Sequence, residues 1–489
     1  MTELARPSSA EMLPDAARFR WLRALLSRPA LLLVVLSAVF GTLIVFVNPP
    51  LRGPDEPAHF VRIYGFLDGI LLPSAEVNGR KGLYLPAALH DDYMLFKEPI
   101  GKVWTPGFSY WSVLDAYRER RNTSPTAAGA RAPVFETFEG SEAYNPAAYL
   151  PYLPAGLVAR VLGLDFVPTI YLMRFAGLAA FTALAAYAIA MTPCLKWAFF
   201  LIAMLPASIF GRSVVGADGA VLGFTLVGVA LSLRAMAGIL PGRPWERALW
   251  MTLNVLSKPP QIAFVLLEPM IYRTRTLTKH WRVIALVVLP GTILSLLWIW
   301  GVKAEVAAWR VYGDGAIAEQ FSVGWKLRFM LENPLHFPKL MFTTLYAETF
   351  GLWRQVIGVL GYLDTHLFLG FYIAISIALT PVLFDRLELR RGDRVRIAVF
   401  SAAMIIAYTV AVFLILYITF TPSTEPQIWG VQGRYFVVIL PLVAIILSAI
   451  FNCRLPAGML AGVAIVGALL SGFASLEALW RVNWTGLPL

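Results

Sequence analysis

The sequence predicts an all-α polytopic membrane protein with about nine full spans, one re-entrant hairpin and a large first outer loop carrying interfacial helices. Three observations carry this expectation. Of 489 residues, 58% are apolar and only 15% charged, with a mean hydropathy of +0.67, far from the composition of soluble domains. The apolar residues gather into runs of transmembrane length. Lys and Arg exceed Asp and Glu by 41 − 30 = 11, and these cations sit in short clusters between the runs. That pattern orients spans and does not make the continuous basic face of a nucleic-acid-binding protein. Cys194 and Cys453 each end an apolar run close to a basic residue, with no CxxC pair, so neither a disulfide scaffold nor a thiolate metal site is expected.

Residues 1–29 read as a cytoplasmic basic arm (Arg6, Arg18, Arg20, Arg23, Arg28), too long for a cleaved signal peptide, and residues 30–489 as one transmembrane domain. Runs near 30–47, 169–190, 197–214, 217–236, 282–301, 366–384, 395–418, 434–451 and 456–476 each approach the roughly 20 helical residues that cross a bilayer core of about 30 Å. Between Arg247 and Arg273 another apolar stretch is interrupted by Ser257-Lys258-Pro259-Pro260. Two adjacent prolines remove two backbone donors and disfavour helix at the preceding residue. The flanking clusters (Arg243 and Arg247; Arg273, Arg275, Lys279 and Arg282) prefer the same side, which predicts a re-entrant hairpin.

Segment 146–164 carries Pro146, Pro151, Pro154 and Arg160 and would invert every later loop if it spanned, so it is expected to lie along the interface. The carboxyl terminus and loop 48–168 then fall outside. Aromatic residues of that loop (Tyr84, Tyr93, Trp104, Tyr110, Trp111, Tyr144, Tyr149 and Tyr152) point to a folded cap at headgroup level. A second outer segment, 302–365, mixes apolar helical stretches with Lys and Glu, and the two together could enclose a chamber.

Directly after the first span comes Asn48-Pro49-Pro50-Leu51-Arg52-Gly53-Pro54-Asp55-Glu56-Pro57, followed by His59 and Arg62. The adjacent carboxylates Asp55 and Glu56 are held between prolines. Catalysis and simple capping of a helix starting near Pro57 are both open to them. Further polar residues lie in or at the outer ends of spans: Arg174, Arg212, Asp218, Lys258, Gln432 and Arg434. Such residues are costly in a bilayer and usually face a cavity or a partner. An ion pair between Arg212 and Asp218, and snorkelling of Arg434 to the headgroups, compete with ligand roles. Lys258, at the tip of a proline-broken hairpin, needs an anion. His59 and His90 are expected to hydrogen-bond locally. Asn122-Thr123-Ser124 and Asn483-Trp484-Thr485 match the glycosylation sequon, a pattern common by chance.

In chain order, Gly53-Pro54-Asp55-Glu56-Pro57-Ala58-His59-Phe60, Tyr144-Asn145-Pro146 with Tyr149-Leu150-Pro151, Ser257-Lys258-Pro259-Pro260 and Gln432-Gly433-Arg434-Tyr435 resemble the successive signatures of a bacterial family. Its members are predicted membrane proteins of unknown function, grouped with the GT-C glycosyltransferases such as protein O-mannosyltransferases and aminoarabinose transferases. The resemblance runs from about residue 48 to 450. It implies a GT-C fold, an acidic motif in the first outer loop and a sugar donor on a polyprenyl phosphate. Asp55 and Glu56 match the acidic pair, of which the first is usually catalytic. The chain departs from better-known members in lacking an evident metal-binding cluster and a soluble carboxyl-terminal domain.

The residue types suit that chemistry. Transfer needs a carboxylate to take the acceptor's proton and cations for the departing phosphate in a water-poor site. One base without a second carboxylate as nucleophile implies inversion, by analogy with glycosidases. The expected arrangement has Asp55 as base and Glu56 as its positioner. Lys258, Arg434, Arg62 and Arg174 are expected around the phosphate, with His59, Arg212, Asp218 and Gln432 in support. No cofactor is required, and a divalent metal is compatible but not evident. Expected partners are a polyprenyl-phosphate-linked sugar, a glycan, lipid or protein acceptor, and the bilayer, with no nucleic acid. The location implied is the bacterial inner membrane, with the site on its periplasmic or outer side. A flippase or transporter of a lipid-linked sugar, using the same cations, is the competing reading, and a non-catalytic scaffold subunit a third.

Overall fold

The computed structural model describes residues 28–73, 75–77, 80–123, 131–239, 243–302, 322–387, 389–423 and 425–486. Nearly all of the basic arm, Ser124 of the first sequon and residues 303–321 of the second outer segment therefore lie outside the described residues. Helix dominates, as expected of a polytopic membrane protein. Among the described residues, seven helices are long and apolar enough to cross a membrane: Pro29–Val47, Phe166–Met191, Asp218–Met236, Thr274–Val302, Arg391–Thr419, Gly433–Phe451 and Ala457–Trp484.

Two of the nine expected runs differ. The run 197–214 is broken into Lys196–Met204 and Pro206–Ser213, because Leu205 precedes a proline and takes an extended conformation (φ −53°, ψ 147°). The break is buried inside the bundle, where irregular backbone is tolerated at membrane depth. Leu369–Val382 is apolar but has 14 residues. The chain before it forms a small antiparallel hairpin, Val359–Leu360 with Thr365–His366.

The Arg247–Arg273 stretch doubles back on itself. Helix Pro244–Ser257 ends where the Ser257 hydroxyl donates to Asn254 O (2.6 Å). Lys258 is extended (φ −160°, ψ 137°), as a residue before proline should be, and the chain returns through Pro259–Leu266 and Leu267–Ile271. Arg247 closes the hairpin by donating to both carboxylate oxygens of Glu268, at 2.8 and 2.9 Å. Lys258 is left at the tip.

Loop 48–168 is a folded cap of helices Glu56–Leu67, Ala87–Lys97, Tyr110–Thr123 and Tyr152–Val161. It also contains a three-stranded antiparallel sheet, Ala75–Val77, Arg80–Leu85 and Val134–Thr137, in that order. This short sheet is a local addition that the sequence did not lead one to expect, in a chain that is otherwise predominantly helical. The alternation that would reveal it, buried Leu83 and Leu85 around exposed Tyr84, is too short to register as a period of two. Tyr93, Tyr110, Tyr149 and Tyr152 are fully buried in the core that the cap shares with the spans and are not on the cap's surface. Tyr84, Trp104 and Trp111 are exposed. The helix Tyr152–Val161 is too short to span and exposes Leu157, Val158 and Val161, in keeping with an interfacial position.

Arg52, buried at the end of the first span, fastens the cap to the rest of the molecule. Its guanidinium donates to both oxygens of Asp364 (2.7 and 2.8 Å) and to Asn483 Oδ1 (3.2 Å) in the last helix. Asn483 is fully buried in this contact, so the acceptor asparagine of the second sequon is not on a surface.

Candidate active site

The acidic turn is shaped by steric limits on its backbone. A Cβ on Gly53 would lie 2.8 Å from the Val214 side chain, so only glycine fits. Asp55 sits in the left-handed region (φ 54°), which short polar residues tolerate best. Its carboxylate makes no capping bond to the helix Glu56–Leu67. It accepts instead from Arg434 Nη2 at 2.5 Å, and the capping alternative is thereby set aside.

Glu56 points the other way. Fully buried, it pairs with Arg174 (2.8 and 2.7 Å) and accepts from Gly53 N and Val215 N (2.8 Å each). It therefore braces both the turn carrying Asp55 and the loop leading to Asp218. Its carboxylate is taken up by Arg174 and these two backbone amides, which makes Glu56 a positioning residue of the Asp55 turn. The expected phosphate-binding role of Arg174 is corrected. Its five donors go to Glu56, Val45 O, Asn48 O and Pro49 O, leaving none for a phosphate.

Arg434 gathers the site. Besides Asp55, it donates through Nη1 to Asp218 (2.9 Å) and through Nε to Gln432 Oε1 (2.6 Å). Snorkelling is therefore not what occupies it. Gly433 lets this segment approach the helix His336–Gly358, since a Cβ there would lie 2.2 Å from Leu352 O. Asp218 is the first residue of its helix, where the helix dipole favours an anion. It also reaches Lys258 Nζ at 3.9 Å. The Lys258 ammonium rests 3.8 Å from the centre of the Tyr435 ring, a cation–π contact, and Tyr408 fixes that residue by donating to its carbonyl (2.9 Å). Neither tyrosine was singled out by the sequence as a site residue. Tyr435 could have been, since it ends the Gln432-Gly433-Arg434 motif; Tyr408 is one aromatic residue within a span and carries no signal.

The site thus holds two carboxylates and two cations. The Asp55 and Asp218 side chains are 46% and 30% accessible, against 12% for Lys258 and 10% for Arg434, so the carboxylates are the more open side. Burial raises the Asp55 carboxyl, but the Arg434 guanidinium more than reverses this and holds it below its ordinary value. His59, behind the cluster, is buried with Nδ1 2.6 Å from the Tyr149 hydroxyl. Burial pushes it down to about 4, so it is neutral at pH 7. His90 makes a local contact with Glu136 (3.3 Å).

Two other expectations fail on geometry. Arg212 donates to Ala203 O (2.6 Å) and Ser37 Oγ (3.2 Å), not to Asp218, which Arg434 and Lys258 have taken. Arg62 is buried with its guanidinium on the Phe66 ring (4.0 Å) and donating to Leu71 O (2.9 Å), so it closes the end of its own helix.

Two cavities meet at Lys258 and Tyr435. A small pocket of about 30 Å³ has Asp218, Lys258, Arg434 and Tyr435 as its polar lining, among apolar residues such as Val221 and Val438. An open, apolar cleft of about 1270 Å³, mouth included, shares Lys258 and Tyr435 and runs along Ile299, Val412, Leu416 and Phe420. Among the described residues no group of three or more His, Cys, Asp or Glu side chains is placed to hold a metal ion. Asp55 and Asp218 are bridged by a guanidinium and do not face each other across an open site.

Neither the curated proteins nor the solved structures yield a match to the chain. The model of one family, described as predicted membrane protein (DUF2142), matches residues 38–443. That range contains the Asp55 turn, the Lys258 hairpin and Arg434, and the chain belongs to this family.

Proposed function

We propose that the protein is an inverting glycosyltransferase, moving a sugar from a polyprenyl-phosphate donor to a cell-envelope acceptor at the outer face of the inner membrane. One observation carries this reading: Arg434 draws Asp55 and Asp218 together, Asp218 reaches Lys258, and Lys258 lies on the boundary between the pocket that holds Asp218 and Arg434 and an apolar cleft. A lipid phosphate has the same division into apolar tail and anionic head. The acceptor hydroxyl attacks the anomeric carbon as its proton passes to Asp55. The carbon–oxygen bond to phosphate breaks, its electron pair stays on the phosphate oxygen, and Lys258 and Arg434 stabilise that charge. This reaction needs no metal, since the two cations supply the positive charge. The resemblance of four ordered motifs to a family grouped with the GT-C glycosyltransferases supports the same reading.

The test is transfer by the purified protein, using donor lipids identified by comparing mass spectra of lipids and glycans from cells with and without the gene. Loss of one glycan in the deletion strain, with release of polyprenyl phosphate in vitro, is expected. Unchanged glycans and no release would overturn the reading.

Transport is the second reading, and one feature favours it. Below the site, Thr225 contacts Asn254 (3.1 Å) and Gln261 (3.3 Å), and the Nδ2 and Nε2 of those buried amides have no partner. A small cavity continues from Asn254 to Arg247 and Glu268. These polar groups run between the Lys258 tip and the Arg247–Glu268 pair of the hairpin, where Glu268, the carboxylate among them, is held by Arg247. Exchange of labelled donor lipid between leaflets of proteoliposomes tests it.

A further inference from the structure

Resting on the glycosyltransferase reading, we propose that the Asp55–Arg434 ion pair is the closed resting state of the site. The phosphate of a lipid-linked donor opens it by taking Arg434 from Asp55, so that donor binding releases the base and must come before the acceptor. Asp218 is the positioning residue that holds both cations during the exchange.

The argument begins with charge. Two carboxylates already match two cations, so a further anion gains little until one carboxylate lets go. The route decides which cation it meets first. The apolar cleft reaches Lys258 and Tyr435, and beyond them the small pocket continues to Arg434 and Asp218. A phosphate drawn in by its tail therefore arrives at Lys258, whose contact with Asp218 is a loose 3.9 Å. Arg434 is next.

The two carboxylates on Arg434 are not equally held. Asp218 touches both cations and starts a helix, and the loop before it is pinned by Glu56 at Val215 N and by the Tyr152 hydroxyl at Gly216 N (3.3 Å). Among the described residues the Asp55 carboxylate touches Arg434 alone; it makes no capping bond and is the more accessible of the two. Asp55 is thus the one to yield, while Gln432 and Asp218 keep the guanidinium in place. Once Arg434 turns to the phosphate, Asp55 loses its counter-ion and becomes a stronger base. An acceptor that arrives first meets a carboxylate held by the guanidinium. The groups facing Asp55 are Arg434, Asp218 and Lys258, with His59, Tyr149 and Tyr435 around them.

The experiment measures binding of methyl farnesyl phosphate, a prenyl phosphodiester that keeps one negative charge at every pH used, to the purified full chain in detergent. The proteins compared are the unmodified chain, Asp55→Asn and Lys258→Met, each checked for thermal stability. Asp55→Asn should bind about tenfold more tightly, the scale of one charged hydrogen bond released from competition. The unmodified protein should bind more tightly as pH falls from about 6 to about 4, where Asp55 takes up a proton on release, and Asp55→Asn should lack that component. The pH series needs no variant to fold. Equal affinity of the unmodified and Asp55→Asn proteins, with weaker binding by Lys258→Met, leaves the phosphate site standing and overturns the competition. No binding by any of the three overturns the phosphate site and the competition together.

Discussion

Asp55 and Arg434 lie 379 positions apart in the chain, and their carboxylate and guanidinium meet at 2.5 Å. The contact joins the turn after the first span to the start of a late one, and it commits the Asp55 carboxylate to the cation cluster and not to the helix it precedes.

Asp55→Asn should separate chemistry from folding. Asn tolerates a positive φ as well as Asp does, and no capping bond is lost. Thermal stability should stay close to that of the unmodified protein while turnover falls roughly 100-fold to 10,000-fold, the usual contribution of a positioned base. Near-normal transfer would remove Asp55 from catalysis.

Glu56→Gln and Arg174→Met should do the opposite. Each breaks a pair in which both side chains are fully buried and leaves a charge uncompensated, at a cost of about 3–5 kcal/mol. Chemical denaturation in detergent should show the loss directly. Stable variants lacking only activity would return Glu56 to the reaction.

Lys258→Ala and Arg434→Ala should each lower transfer on the order of 100-fold, as for loss of one group that stabilises developing charge, with the protein still inserted. Single-turnover rates with saturating donor check this; normal rates in both would place the phosphate elsewhere.

His59 gives a pH dependence of stability. Its folded value of about 4 lies below the roughly 6.5 of an unfolded histidine. Between those values the unfolded chain binds more protons, so stability rises with pH across the window and is lost as pH falls through it. The loss through this residue should reach up to about 3 kcal/mol, and His59→Gln should flatten that part of the curve. Denaturation midpoints of the two proteins over a pH series measure it, and identical slopes would exclude His59 as the source.

Gly433→Ala should displace Arg434 without touching its charge. The added Cβ would meet Leu352 O at 2.2 Å, a backbone atom that cannot swing aside. Overpacking of this kind typically costs 1–3 kcal/mol, and transfer should fall along with stability. A variant with both unchanged would mean that the two segments can separate freely.

The sequence by itself determined what depends on local chemistry. Apolar length marks helices able to cross a membrane, and a proline pair after Lys258 forces an extended residue and a turning chain. An Asp between prolines makes a stiff turn. Ordered motifs identified the segments that now line the site, and Lys258, Arg434 and Asp55 were all legible as polar residues in costly places. Only the tertiary structure decided which charge meets which. Asp218 could pair with the neighbouring Arg212 or the distant Arg434, and nothing along the chain distinguishes them; burial of Arg212 against Ala203 O and Ser37 leaves Asp218 to Arg434. Asp55 and Glu56 are adjacent and chemically alike, yet the left-handed backbone at Asp55 sends their side chains apart, one to Arg434 and one to Arg174. Local sequence fixes where a charge enters the bilayer region, but its role depends on the partner that folding places within about 3 Å, because in a low-dielectric interior an ion and its nearest counter-ion outweigh every longer-range preference.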